Sequence, residues 1–185
     1  MKSRTRKIAL VALTVGLMTA GAYIRIPIGP VPVTLQTLFV LIGGAVLGPG
    51  LGATAMTAYI LLGLMGLPVF SAGGGPQYVL SPTFGYLLSF PLASAAAGWI
   101  AGRSPSGSGL WRNVLALSVG TAIIYCVGVP YLALNLRRIQ EKSVAFPAVL
   151  MMGMVPFLPG DLAKIVFGSL VIGPVRRSLD QIRTG

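Results

Sequence analysis

Asp161 and Lys164 are the side chains whose types and spacing point most directly to chemistry. They stand three positions apart in LPGDLAKIVFGSLVIG, within a 185-residue chain that has only three acidic residues. An ionisable group within hydrocarbon costs several kcal/mol and is retained where a ligand, an ion or a partner charge compensates it. A carboxylate accepts hydrogen bonds through two oxygens, and an ammonium group donates up to three. The pair therefore suits a compact solute with adjacent N–H donors and a carbonyl or carboxylate acceptor. Asp161 also opens an apolar helical run, where free backbone N–H groups and the positive end of the helix dipole stabilise a carboxylate. Lys164 at i+3 lies on a similar face. The alternative is structural: Asp161 caps the helix and neutralises Lys164 with no ligand.

Most catalytic uses of such a pair lack their other parts. The chain has no histidine, which excludes His-based nucleophile activation and His metal sites. No paired carboxylates and no GxxxxGK[ST] phosphate loop occur. The single cysteine, Cys126, rules out an intramolecular disulfide and a multi-thiolate metal site, and its apolar surroundings predict a core residue. An enzyme reading survives as a membrane transferase or hydrolase using Asp161 as base beside Lys164.

The elements that must position the pair are membrane helices. Hydrophobic residues make up 55%, charged residues 9%, and mean hydropathy is +0.85; soluble domains carry about 25% charged residues. Apolar runs near residues 7–25, 35–48, 51–67, 83–102, 112–134 and 156–173 predict an all-α integral membrane protein, one membrane domain over 1–185 with six transmembrane helices. Gly48-Pro49-Gly50 reads as a tight turn between the second and third. With both termini cytoplasmic, Lys2, Arg4, Arg6, Lys7, Arg103, Arg112, Arg176, Arg177 and Arg183 lie inside, against Arg25, Arg137, Arg138 and Lys142 outside. The net charge of +11 thus follows topology rather than nucleic-acid binding. The basic start, apolar run and Ala20-Gly21-Ala22 also fit a secretory leader, but its removal would leave five spans, so the first helix is expected to stay. Ala12, Gly16 and Ala20 form a small-residue stripe at i, i+4, i+8. That stripe packs against helices of the same chain or faces another membrane subunit.

In this topology three irregular connections face outward: Arg25 to Leu35, Pro68 to Pro82, and Asn135 to Gly160. Broken backbone at membrane depth is tolerated only where it is buried in protein or lines a cavity. Within the last connection, SVAFPAVLMMGMVPFLPG reads as a short helix, a break and then the final helix. If that helix meets the cytoplasmic interface near Gly173, Asp161 lies roughly 18 Å back at 1.5 Å per residue, in the outer half of the membrane beneath the loops. Gln36, near the start of an apolar helix, contributes either to a site or to an interhelical hydrogen bond.

The segment GPVPVTLQTLFVLIGGAVLGPGLGATAMTAYILLGLMGLPVF (29–70), with SPTFGYLLSF (81–90) and PFLPGDLAK (156–164), resembles the BioY family, the biotin-binding S components of energy-coupling factor transporters. The resemblance covers about residues 8–175. It implies the S-component fold and high-affinity capture of biotin from outside, with import driven by a separate transmembrane coupling subunit and a pair of ATPases. It also implies a prokaryotic cytoplasmic membrane, biotin as substrate and no cofactor. Asp161 and Lys164 match the family's polar ligand-binding residues, and the first loop with Thr34 and Gln36 becomes a lid. Ser81, Phe84 and Tyr86 join as candidate contacts, although the chain departs at Ser81 and Phe84 from the family's usual GPTGGY. S components resembling this one dock on the coupling subunit through small residues of the first helix, here Ala12, Gly16 and Ala20. An S component for a different vitamin is the nearer alternative. Which end of biotin Lys164 holds stays open.

Overall fold

A computed structural model describes residues 2–102, 109–141 and 144–184; Arg103, Lys142 and the side chains of Lys2 and Arg183 lie outside what is described. The chain is mostly helical. Helix α1 (Lys2–Tyr23) leads into a two-stranded antiparallel hairpin, β1 (Arg25–Ile26) and β2 (Val33–Thr34), with Arg25 opposite Thr34. Then come α2 (Gln36–Leu47), α3 (Pro49–Leu64), a 3-10 turn (Pro76–Leu80), α4 (Phe84–Ala101), α5 (Leu110–Arg138), α6 (Phe146–Gly153), a second 3-10 turn (Val155–Phe157) and α7 (Leu158–Thr184). The first connection is therefore a short hairpin rather than wholly irregular. Its prolines, Pro27, Pro30 and Pro32, lie between the paired residues, so their missing N–H groups interrupt no ladder bond.

Among the described residues, four helical segments are long and apolar enough to cross a membrane: Arg4–Tyr23, Phe84–Ala101, Leu110–Arg138 and Phe146–Gln181, the last taking α6 and α7 together. The apolar helices α2 and α3, of 12 and 16 residues, are shorter than the roughly 20 a straight span needs. Two helices run past their apolar runs. α5 runs on through Asn135–Arg138, which the apolar run had left to a loop, and α7 continues through Pro174 to Thr184. Leu and Arg are good helix formers, so neither helix stops where its hydrophobicity does.

α4 is the hub, packing most extensively on α5, α2 and α3. Its contact with the α2–α3 hairpin depends on glycine: a Cβ on Gly44 would lie 2.0 Å from the Ser94 carbonyl oxygen, and one on Gly52 would lie 2.7 Å from Ser94 Oγ. Gly48, at φ +84°, ends α2, and Pro49 starts α3 immediately, as the Gly-Pro-Gly sequence predicts. Cys126 is a correction, since it is exposed on the outside of α5 rather than in the core. Ala12, Gly16 and Ala20 are likewise exposed, and nothing lies within 4 Å of a Cβ built on Gly16. The stripe faces away from the chain's own helices.

One end of the bundle collects basic side chains. Arg6 donates to the Leu179 carbonyl across α1 and α7 (2.6 Å), Arg112 to Ile100, and buried Arg176 to Ala45 and Ala101. The opposite end carries the hairpin, the 68–82 connection and α6.

Candidate functional site

The hairpin and the 68–82 connection are tied to one another and to the helices at this end. Tyr23 donates to the Pro68 carbonyl (2.5 Å) and Arg25 to that of Ser71. From α5, Tyr131 donates to Val79 and Asn135 to Leu80 (2.7 Å). An open hollow there is bordered by Gly29 and Pro30 of the hairpin, Pro82, Leu136 and Gln140 of α5, and Val144 and Met152. The next hairpin residues, Val31 and Pro32, face inward onto a second cavity.

That inner cleft, open at its mouth, encloses an atom-free volume of about 610 Å³ with the mouth included. Apolar walls come from Tyr86, Leu87 and Phe90 on α4, Ile124 on α5, and Phe157. Polar groups gather in two places. Near the loops, Ser71, Tyr78 and Thr83 line the cleft, with Thr83 donating to the Tyr78 hydroxyl (3.2 Å) and Ser71 3.3 Å from it. At the helices, Asp161 and Lys164 line the cleft with Thr37 of α2 and with Thr121 and Tyr125 of α5.

Asp161 lies in the first turn of α7, as Pro159 and Gly160 before it lead one to expect. Lys164 Nζ stands 3.0 Å from Asp161 Oδ1, and the two side chains are 11% and 9% exposed. The ammonium also donates to Thr37 Oγ1 (2.9 Å), while the Tyr125 hydroxyl donates to Asp161 Oδ2. The pair is therefore braced from α2 on one side and α5 on the other. Two of the ammonium's three N–H groups are engaged, and each carboxylate oxygen keeps a lone pair. The arrangement can accept an N–H on Asp161 and donate to an oxygen from Lys164.

The structure brings five of the seven candidate ligand residues to this cleft: Asp161, Lys164, Thr34, Gln36 and Tyr86. Gln36 combines both of its readings, because it lines the cleft while its Nε2 donates to Tyr59 on α3 (2.6 Å), whose hydroxyl donates on to the Val69 carbonyl (2.6 Å). The Thr34 hydroxyl lies 3.3 Å from Gln36 Oε1. Tyr86 is fixed by a bond to the Gly153 carbonyl (2.8 Å), and its ring occupies the space a Cβ on Gly128 would need, 2.4 Å away. Ser81 and Phe84 stand outside the cleft lining. The Ser81 hydroxyl lies 2.8 Å from that of Thr83, and Phe84 is buried edge-on to Tyr131. Sequence reasoning missed Thr37, Thr121, Tyr125 and the Ser71–Tyr78 pair. Polar side chains inside apolar runs were the available signal for Thr37, Thr121 and Tyr125.

Comparison with known proteins adds four findings. A family model described as the BioY family matches residues 1–181. A Pyrococcus horikoshii protein named "Probable biotin transporter BioY" is 38% identical over 162 residues, covering 87% of this chain and 90% of that protein. The Thermotoga maritima "Biotin transporter BioY" is 37% identical over 167 residues, covering 90% and 93%. The crystal structure of the S component for biotin from an ECF-type ABC transporter superposes with a TM-score of 0.79 at 22% identity over 95% of this chain and 93% of that one, and so shares its fold.

Proposed function

We infer that this chain, which belongs to the BioY family, is a biotin transporter, the substrate-binding S component of an energy-coupling factor system. It is a multi-pass membrane protein and not an enzyme, and biotin is its substrate. The observation that carries the site is the braced Asp161–Lys164 pair at the polar end of an apolar-walled cleft. Biotin offers two N–H groups and a carbonyl on its ureido ring, and an ionised carboxylate on its tail. Only the ring can donate to Asp161, since two carboxylates repel each other. The ureido ring therefore seats at the pair, the bicyclic body lies against Tyr86, Leu87, Phe90 and Ile124, and the tail points toward the hydroxyls of Ser71, Tyr78 and Thr83. Thr34 and Gln36 carry the hairpin that covers the cleft.

The proposed topology has six crossings, α2 and α3 being the short ones, with both termini cytoplasmic in a prokaryotic inner membrane. Three features support it. The basic side chains of α1, α5 and α7 meet at one end, as cytoplasmic positive charge requires. Trp99 and Trp111, at the same end, are 76% and 83% exposed, which suits interfacial anchors. The loops that cover the cleft lie at the other end, where a captured solute would enter. The exposed stripe of Ala12, Gly16 and Ala20 would seat the transmembrane coupling subunit, which carries the pair of ATPases.

Binding decides the site. Purified protein is expected to bind biotin stoichiometrically and release it unmodified, and Asp161→Asn or Lys164→Met should weaken binding at least tenfold, about 1.4 kcal/mol. Titration calorimetry that gave wild-type affinity for both variants would remove the pair from the site. For the stripe, Gly16→Leu should leave biotin binding intact and abolish uptake in cells that supply the coupling subunit; continued uptake would move the docking face elsewhere.

A further inference from the structure

Asp161 and Lys164 do not hold their geometry alone. An i, i+3 pair on one helix is free to rotate about five or more side-chain bonds and to turn both carboxylate oxygens onto the ammonium. Here each group has a second partner on a different helix: the Tyr125 hydroxyl from α5 donates to Asp161 Oδ2, and Thr37 Oγ1 from α2 accepts from Lys164 Nζ at 2.9 Å. With Lys164 on Oδ1 and Tyr125 on Oδ2, the carboxylate plane is fixed and one lone pair per oxygen remains. With Asp161 and Thr37 each taking one N–H, the ammonium has one donor left, and its direction is set.

We propose that Tyr125 and Thr37 are positioning residues for biotin, pre-orienting the Asp161 acceptor and the Lys164 donor before the ligand arrives. The inference rests on the reading of Asp161 as acceptor for a ureido N–H. Its physical basis is that a side chain already immobilised by the protein loses no further rotamer freedom on binding. α2 and α5 both pack on α7, so the bracing is built into the helix contacts, and selectivity follows from it. A solute lacking the paired N–H and carbonyl pattern meets donor and acceptor groups that cannot swing to suit it.

The test is a double-mutant cycle on the purified full chain, read by biotin titration and by thermal unfolding without ligand. Tyr125→Phe should raise Kd about tenfold in protein that still unfolds cooperatively without ligand. In an Asp161→Ala background the same change should move Kd less than about twofold, because Tyr125 then has nothing to position. Thr37→Val should weaken binding about threefold, and this effect should vanish in a Lys164→Met background. A Tyr125→Phe loss that persisted in full beside Asp161→Ala would mean direct contact with biotin and overturn the proposal. An unchanged Kd for Tyr125→Phe, with Asp161→Ala weakened, would do the same. If Tyr125→Phe does not fold, the Thr37→Val cycle decides by the same criterion. Wild-type affinity in Asp161→Ala itself would instead sink the site reading on which the proposal stands.

Discussion

Lys164 and Arg176 are cations of one helix, twelve positions apart, and both are withdrawn from solvent, but their surroundings differ in kind. Lys164 is held by side chains, Asp161 and Thr37, at the border of a cleft. Arg176 reaches backbone: its guanidinium donates to the Ala45 carbonyl at the end of α2 (3.0 Å) and to that of Ala101, the last residue of α4 (3.3 Å). Carbonyls in the last turn of a helix have no partner within it, so Arg176 satisfies two helix ends and locks α7 to both. Charge and burial alone do not distinguish these roles; the partners do. A group bonded to other side chains beside a cavity can share its remaining donors with a solute, whereas one bonded to helix-end carbonyls is part of the scaffold.

The comparison breaks most sharply on stability. Arg176→Met leaves the Ala45 and Ala101 carbonyls without their donor and should destabilise the protein by ~3 kcal/mol, the cost of stranding two buried acceptors, seen as a lower unfolding midpoint in detergent. The molecules that remain folded should bind biotin with wild-type affinity. The double variant Asp161→Asn/Lys164→Met should do the reverse, losing binding without a lower unfolding midpoint, because removing both partners of a buried ion pair leaves no uncompensated charge. A loss of affinity without a loss of stability in Arg176→Met would erase the distinction.

How much of this is legible in the sequence follows the same division. The polar pair, its place in the first turn of α7 and the break before it can be read from PGDLAK and the prolines around it, because Pro, Gly and an early Asp act locally. Tyr125 and Thr37 cannot, since they lie 36 and 127 positions from their partners and only tertiary packing brings them together. Cys126 was placed in the core because membrane helices are apolar on every face, which removes the polarity contrast that marks burial in soluble helices. The same loss left the orientation of the Ala12–Gly16–Ala20 stripe undecided until the helices were placed. Helices α5 and α7 run past the apolar runs that close at Leu134 and Gly173, because hydropathy reports where a helix leaves the hydrocarbon and not where it ends.

The smallest expected effect tests the boundary of the site. Ser81 was a candidate contact on resemblance alone, but its hydroxyl is turned to Thr83 Oγ1 at 2.8 Å and does not line the cleft, whereas Thr83 does. Ser81→Ala removes one partly exposed hydroxyl bond of a type worth about 1 kcal/mol or less, and leaves Thr83 still able to donate to Tyr78 (3.2 Å). Its Kd for biotin should stay within about threefold of wild type. Thr83→Val, which takes a hydroxyl from the cleft itself, should weaken binding more than Ser81→Ala. Titrating both variants side by side checks this order. The reverse order would extend the site outward to Ser81 and place the tail of biotin closer to the start of α4 than the cleft lining implies.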